Sequence, residues 1–165
     1  MKTLYLIRHA KSDWSIDHLS DIDRPLNERG YGDAHKMSLI LKEKKIVPDL
    51  IISSPAVRAI STALIFCRAL NYDPKSILIN KNLYDTSVKE YTHAISKIDN
   101  KHQIVFLFGH NPTITNTANT LTNSLTEEMP TCCIAGIQSD INNWEIFSNT
   151  NNALIYFDFP KKHLK

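Results

Sequence analysis

Four short apolar runs, Lys2–Arg8, Asp49–Ser53, Ile77–Ile79 and Gln103–Phe108, alternate with stretches whose hydrophobic residues recur every three or four positions. That alternation leaves few folds open. Strands separated by helices pair in parallel, and a parallel sheet needs helices on both faces, so the pattern predicts an α/β protein built as a three-layer α/β/α sandwich. The first helix is expected over 27–45, where Ala34, Met37 and Leu41 keep helical spacing although Gly30 and Gly32 weaken the opening turn. In the second, Ser54 caps and Pro55 takes the first helical position, with Val57, Ile60, Leu64 and Cys67 on one face to about Leu70. A third covers 87–98, and Asn111-Pro112 repeats the cap-plus-proline start for a fourth ending near Leu121. Beyond residue 130 helical periodicity stops. Asn142-Asn143 and Asn151-Asn152 punctuate β-prone runs, predicting a meander that ends in 153–159 and gives the mostly parallel sheet an antiparallel C-terminal part.

No internal repeat, low-complexity tract or Gly/Ser/Pro-rich linker divides the chain, so residues 1–165 are expected to form one domain. With 165 residues, 42% of them hydrophobic, the core needs no disulfide or metal staple. Lys plus Arg exceed Asp plus Glu by only 19 − 17 = 2, which argues against nucleic acid or a membrane as the main partner. Any basic site must be local. The apolar stretch Thr3–Ile7 is too short for a secretory signal, and no run is long enough to span a membrane. Cys67, Cys132 and Cys133 are odd in number, lack C-x-x-C spacing and read as small buried hydrophobes; a cytoplasmic protein without a metal or other cofactor is expected.

Ligands of parallel sheets sit beyond the carboxyl ends of the strands. Arg8-His9, Ser53-Ser54-Pro55 with Arg58, and Gly109-His110-Asn111-Pro112 each follow a predicted strand, so they should meet at one edge. Two imidazoles, two guanidiniums and two helix N-termini make a cradle for a tetrahedral oxyanion, with phosphate the obvious candidate. The chain has no G-x-x-x-x-G-K-[ST] and no run of carboxylates suited to Mg²⁺ there. What remains is histidine chemistry. Singly, the arginines could be surface ion pairs and the histidines hydrogen-bonded structural groups; their joint placement at strand ends favours a site.

The segment Leu6-Ile7-Arg8-His9-Ala10-Lys11-Ser12 resembles the R-H-G/A signature of the histidine phosphatase superfamily. Ser53-Ser54-Pro55-Ala56-Val57-Arg58-Ala59 with Thr62-Ala63 is similar to its S-S-P-x-x-R-A-x-x-T-A motif, and Gly109-His110-Asn111-Pro112 to its second-histidine motif. Together with Asp23-Arg24-Pro25-Leu26-Asn27-Glu28-Arg29-Gly30 and the lack of an inserted helical cap, these resemble the small bacterial SixA-type phosphohistidine phosphatases. The resemblance implies a phosphoglycerate mutase-like fold and a metal-independent phosphatase acting on phosphohistidine in a signalling or phosphotransfer protein. It makes His9 the nucleophile that forms a covalent phosphohistidine, while Arg8, Arg58 and His110 neutralise the transferred group.

Such a nucleophile must be neutral, which neighbouring positive charge favours, and an N–H to a backbone carbonyl would fix its tautomer. Larger members use a carboxylic acid to protonate the leaving oxygen; the nearest candidate here is Asp85 in Leu83-Tyr84-Asp85-Thr86-Ser87, for which a turn or helix cap is the competing role. A leaving imidazole has a pKa near 6.5 and departs protonated, so weak acid assistance favours phosphohistidine over sugar phosphates. Lys11, Ser12, Arg24 and Asn27 are expected to line the rim as substrate-binding residues, with Arg24 alternatively paired to Asp21 or Asp23, and Asn111 to add a donor. Trp14 is expected to bury its ring, and His18, His35, His93, His102 and His163 to face solvent. The alternatives are a small-molecule phosphomonoesterase or mutase, which needs a deep pocket and a placed acid, and a non-catalytic phosphoprotein-binding module, against which the pair of histidines speaks.

Overall fold

The computed structural model describes residues 1–124 and 127–164. In chain order the elements are β1 (Lys2–Arg8), α1 (Glu28–Glu43), β2 (Leu50–Ser53), α2 (Val57–Leu70), β3 (Leu78–Ile79), α3 (Val88–Ser96), β4 (Ile104–Gly109), α4 (Thr113–Thr122), β5 (Ile134–Ser139) and β6 (Ala153–Asp158). The strands form one sheet in the order β3-β2-β4-β1-β5-β6. β3, β2, β4 and β1 pair in parallel; β5 runs antiparallel to β1, and β6 to β5. The parallel sheet with an antiparallel C-terminal part is as the sequence pattern predicts.

Alternate residues of the central strands enter two separate cores. Leu4, Leu6, Leu50, Ile52, Val105 and Leu107 pack with α3 and α4 residues such as Tyr91, Ile95, Ile114 and Ala118. Tyr5, Ile7, Ile51, Phe106 and Phe108 pack on the other face with Ala34, Met37 and Leu41 of α1 and Ala63, Phe66 and Leu70 of α2. Both faces are covered, which is why β1 and β4 read as continuous apolar runs. A fully buried Leu or Phe side chain contributes about 1.5–3 kcal/mol, so the two layers of helices hold the sheet firmly. Each of α1 to α4 buries residues in one of these cores, so none is left over as a cap above the sheet edge.

The second helix differs from expectation in its start and its buried face. Ala56 is the N-cap, extended at φ −60° and ψ 137°, and the first helical residue is Val57. Pro55 lies before the helix because Ser54 Oγ accepts from the Ala56 N–H at 3.2 Å and turns the chain first. Val57, Ile60 and Leu64 are only half-buried, while Ala59, Thr62, Ala63 and Phe66 are buried. Small residues face inward, and the approach lets Thr62 Oγ1 accept from the Ala10 N–H at 3.0 Å. In the C-terminal part, residues Trp144–Asn149 form a 3-10 turn that buries Trp144 and Phe147 between β5 and β6.

Gly30 weakens α1 on propensity grounds, yet the packing requires it. A Cβ there would overlap the carbonyl of Lys11, whose backbone passes against the helix and accepts from the Asn27 N–H at 3.0 Å. Gly32, two residues on, is exposed and has nothing within 4 Å of an added Cβ. Gly32→Ala should therefore stabilise by about 0.5–1 kcal/mol. Gly30→Ala should destabilise by about 1–3 kcal/mol despite its better helix propensity. Urea unfolding of the two variants beside wild type checks both signs.

Candidate active site

Strand register gathers the expected residues. Arg8 of β1 lies opposite Gly109 of β4, and Ser53 of β2 opposite Phe108. The pairing continues past the strands, with the His9 N–H donating to Gly109 O at 3.1 Å and the Ser54 N–H to Phe108 O at 3.0 Å. His9 and His110 therefore emerge side by side at the carboxyl edge, their ring centroids 5.1 Å apart. From the antiparallel side the Cys132 N–H donates to His9 O at 3.0 Å, fixing the backbone on both flanks. Tyr91 supports the second histidine: its hydroxyl accepts from the His110 N–H at 3.0 Å and donates to Leu83 O at 3.2 Å. A Cβ at position 109 would overlap that hydroxyl, which explains the glycine.

The His9 ring is buried, and its Nδ1 lies 2.7 Å from Ala10 O. A carbonyl only accepts, so Nδ1 carries the proton and Nε2 keeps its lone pair. Burial pushes this imidazole from 6.5 down to about 3, with His110, Arg58 and Arg8 adding to the fall and the Ala10 bond opposing it. Burial likewise pushes His110 down to about 4, helped by Arg58 and Arg8 and opposed by Asp21. His110 Nε2 sits 2.7 Å from Ser54 Oγ, which already accepts from the Ala56 N–H. His110 Nδ1 is buried without a partner.

Three guanidiniums surround the imidazoles, each anchored by its Nη groups. Arg8 Nη1 donates to Met129 O at 2.9 Å. Arg58 Nη1 donates to Asp21 O at 2.6 Å and Nη2 to Asp21 Oδ2 at 3.0 Å. Arg24 Nη2 donates to Asp21 Oδ1 at 2.9 Å, Nη1 donates to Ser12 Oγ, and the indole of Trp14 lies 3.6 Å from the guanidinium carbon. The Nε of all three arginines is buried and unpaired. Orphaned buried donors cost stability, and three of them clustered with two neutral imidazoles describe a place prepared for an anion. A cavity of about 350 Å³ opens beside Arg58 and His110, lined by Asp21, Arg58, Tyr84, Asp85, His110 and Asn111; its lining does not include His9, Arg8 or Arg24.

The remaining expected residues divide. Asp85 lines the cavity at a left-handed φ of 47°; it caps no helix, since Ser87 holds the N-cap position of α3. Ser12 is buried and serves as the anchor for Arg24. Asn27 caps α1, its Oδ1 accepting from the Gly30 N–H at 2.8 Å. Asn111 lines the cavity, but its amide N–H groups go to Glu128 and Met129 O and its Oδ1 accepts from Thr115, so it has no spare donor. Lys11 is half-buried and is not among the cavity-lining residues. Trp14 is 71% exposed, contrary to the expectation of burial, because its ring stacks on Arg24 instead of entering a core.

His18, His35 and His93 are exposed as expected, whereas His102 and His163 are half-buried against Asp49 and Asp158. All three cysteines are free and buried, and burial pushes their thiols up, Cys67 to about 11. Among the described residues no group of three or more His, Cys, Asp or Glu is arranged to hold a metal ion, and no helix is long and apolar enough to cross a membrane. Sequence reasoning missed Asp21 as the shared partner of two arginines, and Tyr84, whose hydroxyl donates to Asp21 Oδ2 at 2.6 Å. The only signal was the possible pairing of Arg24 with a nearby acid.

A family model, the histidine phosphatase superfamily (branch 1), matches residues 4–118. The structure is similar to that of a candidate phosphohistidine phosphatase SixA from Agrobacterium tumefaciens, with a TM-score of 0.83, 29% identity and coverage of 96% of this chain and 98% of that one. It also resembles the protein histidine phosphatase SixA complexed with tungstate, with a TM-score of 0.82 at 23% identity over 97% and 98% of the two chains, a likeness of fold. Phosphoglycerate mutase 1 of Saccharomyces cerevisiae is 39% identical over 65 residues, 38% of this chain and 26% of that protein. The chain matches only about a quarter of the length of such curated relatives.

The depressed imidazoles carry a stability signature. Below 6.5 the unfolded chain protonates its histidines, while the folded state refuses protons until about 4 at His110 and about 3 at His9. Stability is therefore undiminished above pH 6.5 and falls with acidification, by up to about 1.4 kcal/mol per pH unit for each group. In urea unfolding between pH 7 and 4.5, wild type should lose stability more steeply than the double variant His9→Gln with His110→Gln.

Proposed function

The chain belongs to the histidine phosphatase superfamily, and from that membership we propose that it removes the phosphoryl group from phosphohistidine in a signalling or phosphotransfer protein, without a metal ion and through a phospho-His9 intermediate. One observation carries the reading: His9, with an unprotonated Nε2, and His110 cluster with three arginines whose buried Nε donors lack partners. In the first step Nε2 attacks phosphorus, a new N–P bond forms, and the bond to the substrate imidazole breaks. The leaving imidazole takes up a proton, and Asp85 on the cavity wall is the group available to pass it. In the second step water attacks phospho-His9, releasing inorganic phosphate and restoring the neutral ring. Arg8, Arg58, Arg24 and His110 hold the oxygens throughout, the main need in phosphoryl transfer. Lys11 and the exposed face of Trp14 are assigned to contact with the partner at the rim.

The likeness to a SixA protein supports phosphohistidine as the substrate, and among the described residues no helix stands as a cap above the site, which leaves room for a folded partner. Three buried, free thiols fit a reducing compartment, and we assign residues 1–165 to one cytoplasmic unit. A second reading, hydrolysis or mutation of a small phosphomonoester, is favoured by the likeness to phosphoglycerate mutase 1 and by a cavity of about 350 Å³, large enough for a small phosphorylated molecule.

Rapid quench with a radiolabelled phosphoramidate should trap acid-labile label on wild type and none on His9→Ala, with turnover at least about a thousandfold lower in the variant. Stable binding of the substrate by both proteins without phosphate release would identify a binding module instead. Arg58→Ala should lower kcat/KM by about 10²–10³. Activity should survive exhaustive chelation unchanged. A phosphohistidine protein should exceed sugar phosphates in kcat/KM; the reverse order would establish the second reading.

A further inference from the structure

We propose that Asp21 is a positioning residue of this site, holding the far ends of Arg58 and Arg24 so that their Nε edges are left for the phosphoryl group. The inference rests on the phosphoryl-site reading above and adds to it a carboxylate that touches neither nucleophile nor leaving group.

Asp21 stands in a 3-10 turn, Asp21–Asp23, between β1 and α1, and every acceptor it has is used. Its backbone carbonyl and Oδ2 take the two Nη groups of Arg58, Oδ1 takes Arg24 Nη2, and Oδ2 also accepts from the Tyr84 hydroxyl. The arginine partners come from the same loop and from α2, and the tyrosine from the segment between β3 and α3 that carries Asp85. One carboxylate thus ties together three chain segments around the cavity. The Tyr84 bond, followed by the Arg24 and Arg58 bonds, holds the Asp21 carboxyl well below the usual range, so it stays ionised.

The geometry separates positioning from obstruction. A guanidinium offers an end-on edge of two Nη groups and a side edge of Nε with one Nη. Asp21 occupies the end-on edge of Arg58, and the Nε that completes the side edge is buried without a partner. Arg24 repeats the pattern, with Nη groups committed to Asp21 and Ser12 and Nε unpaired. An oxyanion can therefore bind both arginines bidentately while Asp21 keeps its bonds. Were Asp21 an internal competitor for the anion, its loss would tighten oxyanion binding; as a positioning residue, its loss weakens it.

Vanadate binding by the full chain, measured by titration calorimetry, tests this apart from turnover. Asp21→Asn should weaken vanadate binding about tenfold or more, the scale of a lost charge-assisted contact, in protein that urea unfolding shows to be folded under the titration conditions. In an Arg58→Lys background the same change should weaken binding by a smaller factor than in wild type, because only the Arg24 clamp is left to lose. Equal or tighter binding by Asp21→Asn, or full additivity with Arg58→Lys, overturns the assignment. Should Asp21→Asn fail to fold, Tyr84→Phe removes only the hydroxyl bond to Asp21 and should weaken vanadate about two- to threefold; unchanged binding overturns it. Wild type that binds vanadate without hydrolysing phosphoramidates overturns the phosphatase reading and leaves the role of Asp21 standing, whereas wild type that binds no vanadate overturns both.

Discussion

The parallel pairing of β1 with β4, and of β4 with β2, sets the distance on which the site depends. Arg8 stands opposite Gly109 and Ser53 opposite Phe108, so His9 and His110 leave the sheet at one level, and Ser54, level with Gly109, leaves it one residue earlier. The bonds from His9 to Gly109 and from Ser54 to Phe108 extend the ladder one step beyond regular structure. A slip of one residue in β1 would exchange Leu4 and Leu6 with Tyr5 and Ile7 between the two cores and separate the imidazoles. Backbone pairing, held by two layers of packed helices, therefore does what flexible side chains could not. Tyr91 adds a lock from the helix layer, reaching across Gly109 to the His110 N–H.

Burial then decides the chemistry. The same packing that removes water from His9 and His110 holds both rings neutral, and the nearby guanidiniums reinforce the effect. It also leaves the Nε groups of Arg8, Arg24 and Arg58 without partners, which makes the empty site less stable than a fully satisfied one. Local rules broken at a functional site are the expected exception in an otherwise consistent fold. Asp21 limits that cost by taking the outer edges of two of the three arginines.

Elements with a strong local signal were legible. The apolar runs of β1 and β4 and the spacing of Ala34, Met37 and Leu41 lead directly to the observed strands and to α1. The second helix shows where such reasoning stops. Its large apolar residues Val57, Ile60 and Leu64 suggested one face, yet Ala59, Thr62 and Ala63 turn inward, because close approach to the sheet rewards small side chains. Trp14 misled for a similar reason: ring size argues for burial, but a guanidinium offers an equally good surface in the loop. Asn27 and Asn111 carry ordinary polar side chains; the first caps α1 through Gly30, and the partners Glu128 and Met129 leave the second with no side-chain donor to spare.

The amino-acid sequence by itself determined the order of strands and helices, the parallel sheet, and the identity of the basic residues that follow its strands. Those features depend on hydrophobic periodicity and turn chemistry, which act over a few neighbouring residues. Only the tertiary structure decided that Asp21, among the four aspartates of the loop after β1, would face the arginines, and that Ser54 would meet His110. Asp21 reaches Arg58 across 37 positions and Tyr84 across 63, and Ser54 reaches His110 across 56. Contacts at such separations arise from how the layers pack, and no local pattern in the chain encodes them.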